Sequence, residues 1–265
     1  MLIPREHGAW GMLLVPLATG AIVSARGGYH IGALALFVVA TLALFWLRTP
    51  VEAWLGLSPI KAQTGDERAL VIQMIVLLCA IALTSLAVLF ETGYARGLLV
   101  IGVVAALAFG ARAMVKKLGR AGRMPAQIVG AIGLTSTAAG AYYVASTRFD
   151  ATAIALWAAN WLFAADQIHF VQTRIRGSRL NTSGERFAQG KWFVYAQVAL
   201  VVVLAAASAS HVLPLWTSVA FVPALARGVV WFVRPTQPLD VHKLGFSELR
   251  QALIFGALLA TAFLV

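Results

Sequence analysis

The stretch NWLFAADQIHFVQTRIRG, residues 160–177, sets an acid, an imidazole and a hydroxyl on a repeating interval. Asp166, His169 and Thr173 fall at i, i+3 and i+7, one face of a helix, and Arg174 and Arg176 follow at its end. A carboxylate and an imidazole at that spacing can pass a proton or hold an ion. Neighbouring arginines can grip a phosphate or carboxylate group. The same Asp-His pair can equally be a structural contact between helices, and the sequence leaves both readings open. No Cys or second His stands nearby at ligand spacing, so a tetrahedral metal site is not indicated.

A second constellation lies in LFWLRTPVEAWLGLSPIKAQTGDERA. Arg48 and Glu52 are at i, i+4, which allows either a local ion pair or a bracket around a ligand, and Lys61 adds charge nearby. Pro50 is expected to break the helix close to Arg48. A third, PREHGAW, puts Arg5, Glu6 and His7 directly before an apolar run. They are either a solvated flank or part of a site shared with the other two. Arg227 stands alone inside an apolar segment. An arginine at that depth needs an anionic or carbonyl partner, and pairing with Asp166 or Glu52 is as open as ligand contact.

The elements that must position these groups follow from composition. The chain has 265 residues, 60% hydrophobic and 12% charged. Its mean hydropathy of +0.83 lies far outside soluble usage. Apolar stretches of bilayer-crossing length fall near 9–25, 31–47, 69–90, 97–113, 125–146, 151–171, 191–210, 213–233 and 246–265. This reads as an all-α, polytopic membrane protein of about nine transmembrane helices, one integral membrane domain over 1–265.

Of the 21 basic residues, all but Arg26, Arg96, Arg148 and Arg227 fall at the N-terminus or in the loops that a nine-span chain places beside it. The positive-inside rule then puts the N-terminus in the cytoplasm and the C-terminus outside, in a cell membrane. It also accounts for the +11 net charge without nucleic acid, which is not an expected partner. Membrane lipids are. Cytoplasmic loops 2–3 and 6–7 are the long ones and hold most polar groups with chemical potential.

Nine helices with polar stretches at the cytoplasmic ends of the second and sixth resemble the UbiA superfamily of intramembrane prenyltransferases. HGAWGMLLVPLATG is similar to their opening helix, SPIKAQTGDERAL to the segment after their first acidic motif, and MVKKLGRAGRMPAQIVGAIG to their basic turn into helix 5. ADQIHFVQTRIRG resembles their second motif, D-x-x-Y-A-x-x-D-x-x-x-D, falling on Asp166, His169, Phe170, Thr173 and Gly177. Only the first aspartate is present. The first motif, N-D-x-x-D-x-x-x-D, finds Arg48 and Glu52 in its place. More closely, PREHGAW together with the late HKLGFSE at 242–248 resembles the YwiC-like membrane proteins, over nearly the whole length.

The UbiA resemblance implies a helical bundle with a central cavity open to the cytoplasm and an isoprenoid or other lipid substrate with an anionic head group. Asp166 and His169 would be its acid/base residues. Arg5, Glu6, His7, Arg48, Glu52, Lys61, Arg174, Arg176 and Arg227 would line the head-group site. It also implies Mg²⁺, but the motif positions have turned basic, and direct arginine clamping is expected instead. The alternative is a cavity that binds or moves a lipophilic anion or quinone without chemistry.

Overall fold

The computed structural model describes residues 7–26, 29–55, 65–119, 121–179, 182–233 and 239–265. Ten α-helices and no strand occur among them: α1 (His7–Ser24), α2 (Ile31–Trp54), α3 (Gly65–Leu89), α4 (Ala95–Lys116), α5 (Arg123–Thr135), α6 (Thr137–Ser146), α7 (Ala151–Arg176), α8 (Ser183–Ala209), α9 (Thr217–Val233) and α10 (Val241–Leu264). Five helical runs among the described residues are long and apolar enough to cross a membrane: Ile31–Trp54, Gly65–Lys116, Arg123–Ser146, Gly184–Ala209 and Val241–Leu264. With Ile72, Val76, Leu107, Val198 and Val202 exposed on α3, α4 and α8, these helices point to a multi-pass membrane protein.

The 52-residue run Gly65–Lys116 would measure roughly 78 Å if straight, more than twice a hydrocarbon core. It is divided at a π-helical turn, Phe90–Tyr94, where Gly93 adopts φ +98°. Only a residue without Cβ takes that conformation without strain. The rod Arg123–Ser146 is interrupted more gently at Ser136, because the hydroxyls of Thr135, Ser136 and Thr137 all bond back onto the preceding turn at 2.8–2.9 Å. Such back-bonding loosens and bends helices.

α2 departs from the sequence expectation. It does not stop at Pro50 but carries it inside and ends at Trp54. Pro50 is buried, and the hydrogen-bond ladder resumes after it, Leu55 N–H donating to the Val51 carbonyl at 3.0 Å. The missing proline donor therefore interrupts the ladder without ending the helix.

Polar caps set the starts of the C-terminal helices. Asp150 accepts from the amides of Thr152 and Ala153 at 3.0 and 3.2 Å, Thr182 and Glu185 form a capping box at α8, and Asp240 accepts from His242 and Lys243 at α10. Each such cap contributes about 1 kcal/mol. The Lys243 amide chiefly holds the Asp240 carboxyl below the usual carboxylate range.

α1 is the joint of the molecule. It packs on α5 and α6 on one side and on α7 and α10 on the other. A Cβ on Gly20 would lie 2.1 Å from the Ala138 carbonyl oxygen, so α1 and α6 cross backbone to backbone. Across α1 the core continues through Val15, Ala155, Leu156, Ala159, Phe163, Phe221 and Phe255, with Phe163 stacked on Phe255 at 4.0 Å. Asn160 ties α7 to α1 by donating to Thr19 at 3.1 Å. One group of helices, α2 to α6, and a second, α7 to α10, thus meet on α1 and, directly, where α7 packs on α5 and α6.

Candidate functional site

α7 carries its chemistry along one stripe, starting about 15 Å from its basic end, where Asp166 sits ten residues before Arg176. Burial there is severe: the side chains of Asp166, Glu248 and Arg227 are 5%, 6% and 10% exposed. They bond to one another. Arg227, from α9, donates to Asp166 Oδ2 at 3.1 Å through one terminal nitrogen and to Glu248 Oε2 through the other. Gln197, from α8, donates to Asp166 Oδ1, and Gln167 fixes the backbone of α10 by donating to the Glu248 carbonyl at 2.8 Å. The guanidinium lies 4.1 Å from the centre of the Phe170 ring, a cation-π contact. Four helices are therefore joined by one guanidinium and two carboxylates.

Both oxygens of Asp166 are engaged, which makes it an anchor for α7 in this arrangement. Of the partners the sequence left open for Arg227, the structure assigns Asp166 and not Glu52. Glu52 instead accepts from Arg48 at 2.8 Å, one turn away on α2. The second carboxylate, Glu248, had not been singled out. Its signal was present, since it is the one acidic residue in the last apolar segment, near 246–265, and an ionised group there needs a partner.

Toward the basic end of α7 the stripe opens into a cavity of about 350 Å³ between the start of α5, α7 and α8. Met124, Trp192 and Phe193 supply its apolar wall; His169, Thr173, Arg176 and Gln189 supply its polar groups. His169 meets the Phe193 ring edge-on at 5.3 Å, and Thr173 donates back to the His169 carbonyl at 2.9 Å. Arg174 is half-buried on the side toward Glu248. A further cavity, about 620 Å³, lies at the other end of the bundle, among the start of α2, the Gly93 break and the end of α6.

The Arg48–Glu52 pair belongs to a different neighbourhood, because α2 packs on α3 and α6. The first turns of α1 come close to it: Trp10 stands edge-on to Phe45 at 4.9 Å and to Trp46 at 6.2 Å. Arg5, Glu6 and Lys61 lie outside the described residues, as does the side chain of His7.

The family model described as YwiC-like protein matches residues 3–142, more than half of the chain. The chain belongs to the YwiC-like family. No curated protein and no solved structure matches it. The YwiC-like match covers α1 to α5 and part of α6, with the N-terminal PREHGAW and the Arg48–Glu52 pair. The Asp166–Arg227–Glu248 network lies beyond it.

The Mg²⁺ that a UbiA-type site implies does not fit the residues present. Hard divalent cations need several free oxygen ligands, whereas both carboxylates here are bonded to the guanidinium between them. The remaining second-motif positions offer His169, Thr173 and Gly177. Among the described residues no three His, Cys, Asp or Glu side chains gather in a metal-binding group.

Proposed function

We propose that this YwiC-like protein is a nine-span protein of the cell membrane, N-terminus cytoplasmic, that binds an isoprenoid or other lipid with an anionic head group at the cytoplasmic ends of α5, α7 and α8. The observation that carries this reading is the cavity of about 350 Å³ with an aromatic and apolar wall on one side and Arg176, Thr173, Gln189 and His169 on the other. That is the lining an amphipathic anion requires. The saturated bonding of Asp166 supports the non-catalytic form of the reading, in which the lipophilic anion or quinone is held or moved unchanged.

A prenyltransferase-type reaction is the second reading, and His169 favours it. It lines the cavity, and its imidazole can give or take a proton there. Asp166 would then act through the position of α7.

The test uses farnesyl diphosphate as probe and the intrinsic fluorescence of Trp192, with Trp192→Phe as the optical control. Binding is expected to persist in excess chelator and to weaken on Arg176→Ala by about 10- to 150-fold, the equivalent of one charge-assisted contact at about 1.5–3 kcal/mol. A strict Mg²⁺ requirement combined with indifference to Arg176→Ala would end the arginine-clamp reading.

A further inference from the structure

Two buried oxygens beside the Arg227 network lack hydrogen-bond partners among the described residues, Glu248 Oε1 and Gln251 Oε1. They belong to residues three apart on α10, which are neighbours on a helix surface. Both are acceptors when the carboxyl is ionised, so neither can satisfy the other. A single proton changes that: a carboxylic acid O–H on Glu248 donates to the Gln251 amide oxygen, and both orphans are satisfied at once.

The charges around Glu248 point the same way. On α9 Arg227 is shared with Asp166, so one guanidinium serves two carboxylates. On α7 Asp166 adds negative charge, and Arg174 acts on Glu248 only at a distance, with no ion pair between them among the described residues. On α1, which also packs against α10, the described side chains run from Trp10 to Ser24 and include no charge. Asp166 has donors on both oxygens. Glu248 has a donor on one oxygen only and is itself 4% exposed. Leaving a bare carboxylate oxygen in such a place is costly, and protonation is the inexpensive remedy.

We propose that Glu248 is a proton-binding site of this protein, its carboxyl carrying an exchangeable proton on Oε1 that is shared with Gln251. The site stands on these contacts alone. Combined with the lipid-anion reading, on which this extension rests, it makes anion uptake proton-linked. Neutral Glu248 leaves the charges of Arg227 and Arg174 less compensated and better able to attract an anion, and loss of the proton reverses this.

Infrared spectroscopy of the full-length protein in lipid nanodiscs at neutral pH tests the proton site without any lipid ligand. The wild type is expected to show the carbonyl band of a protonated carboxylic acid that moves down in D₂O. The band should shift when glutamate, but not aspartate, carries ¹³C at its side-chain carboxyl. It should vanish in Glu248→Gln, persist in Asp166→Asn, and move up in Gln251→Leu, where the acceptor is gone. The isotope comparison assigns the band to glutamate even if a variant fails to fold, and Gln251→Leu then separates Glu248 from the other glutamates, since only a carboxyl bonded to Gln251 responds to it. Absence of the band in the wild type would overturn the proposal; the carboxylate would then be ionised and bonded by a turned Gln251 amide. A band that follows the aspartate label, or survives Glu248→Gln, would overturn it equally.

Discussion

Arg227 joins two carboxylates that a single helix could not bring together, and its removal has a cost that neither pair alone would impose. Breaking a buried ion pair from one side leaves an uncompensated charge in a medium that solvates it poorly. Arg227→Met should therefore destabilise the folded protein by about 3–5 kcal/mol, read as a loss of thermal stability in detergent. Arg227→Lys should restore little of it, since an ammonium lacks the planar fork that reaches Asp166 and Glu248 at once. An Arg227→Met protein as stable as wild type would show that the network does not hold the bundle together.

The sequence made Asp166 and Arg227 visible because each is an ionisable group inside an apolar segment. It left the partner of Arg227 open among Asp166, Glu52 and a ligand. Pairing depends on which helices touch, and spacing along the chain carries no such information between α7, α9 and α10. Glu248 is visible by the same rule, but it stands at the start of its apolar segment, where a charge is equally compatible with a solvated helix end.

At the scale of elements, the helices themselves were legible, since each apolar segment marked in the sequence overlaps one of the observed rods. Their interruptions were not. Gly93 fell in a segment already read as a loop, whereas the Ser136 interruption lies inside one read as continuous, and Pro50 proved compatible with a helix it was expected to end. Hydrophobic runs report length, but hydroxyl back-bonding and tolerated prolines depend on local backbone contacts that hydropathy does not register. The crossing of α1 and α6 gives this scale its prediction. Gly20→Ala puts a methyl 2.1 Å from the Ala138 carbonyl oxygen, which side-chain motion cannot relieve, and should cost about 1–3 kcal/mol or more. Gly102→Ala, with nothing within 4 Å of the added carbon, should be neutral or stabilising. Equal melting temperatures for the two variants would contradict the close crossing.

For the whole molecule, the distribution of basic residues and the helix order make one joint statement about orientation. On the proposed nine-span reading, a reporter fused after Val265 is expected outside the cytoplasm and one inserted at Gly119 inside it, since that reading gathers the basic loops on the starting side. Both reporters on one side would require an even number of crossings between Gly119 and the C-terminus, and the bundle would need a different reading of α5 to α10.

The seat of α1 has a consequence for how the chain is made. α1 leaves the ribosome well before its partners α6, α7 and α10: its Leu13 carbonyl accepts from Thr137, 124 residues later, and its Val15 lies against Gly256 of α10. Until those segments are synthesised, the Gly20 notch has no partner backbone to meet, and the Thr19 hydroxyl bonds only within its own turn, to the Pro16 carbonyl at 2.8 Å. Non-local closure of this kind is slow and leaves unfinished surface exposed meanwhile. The joint of the finished protein is thus its longest-waiting part during synthesis, and a nascent chain released early would present that open groove to the membrane's insertion and quality-control machinery.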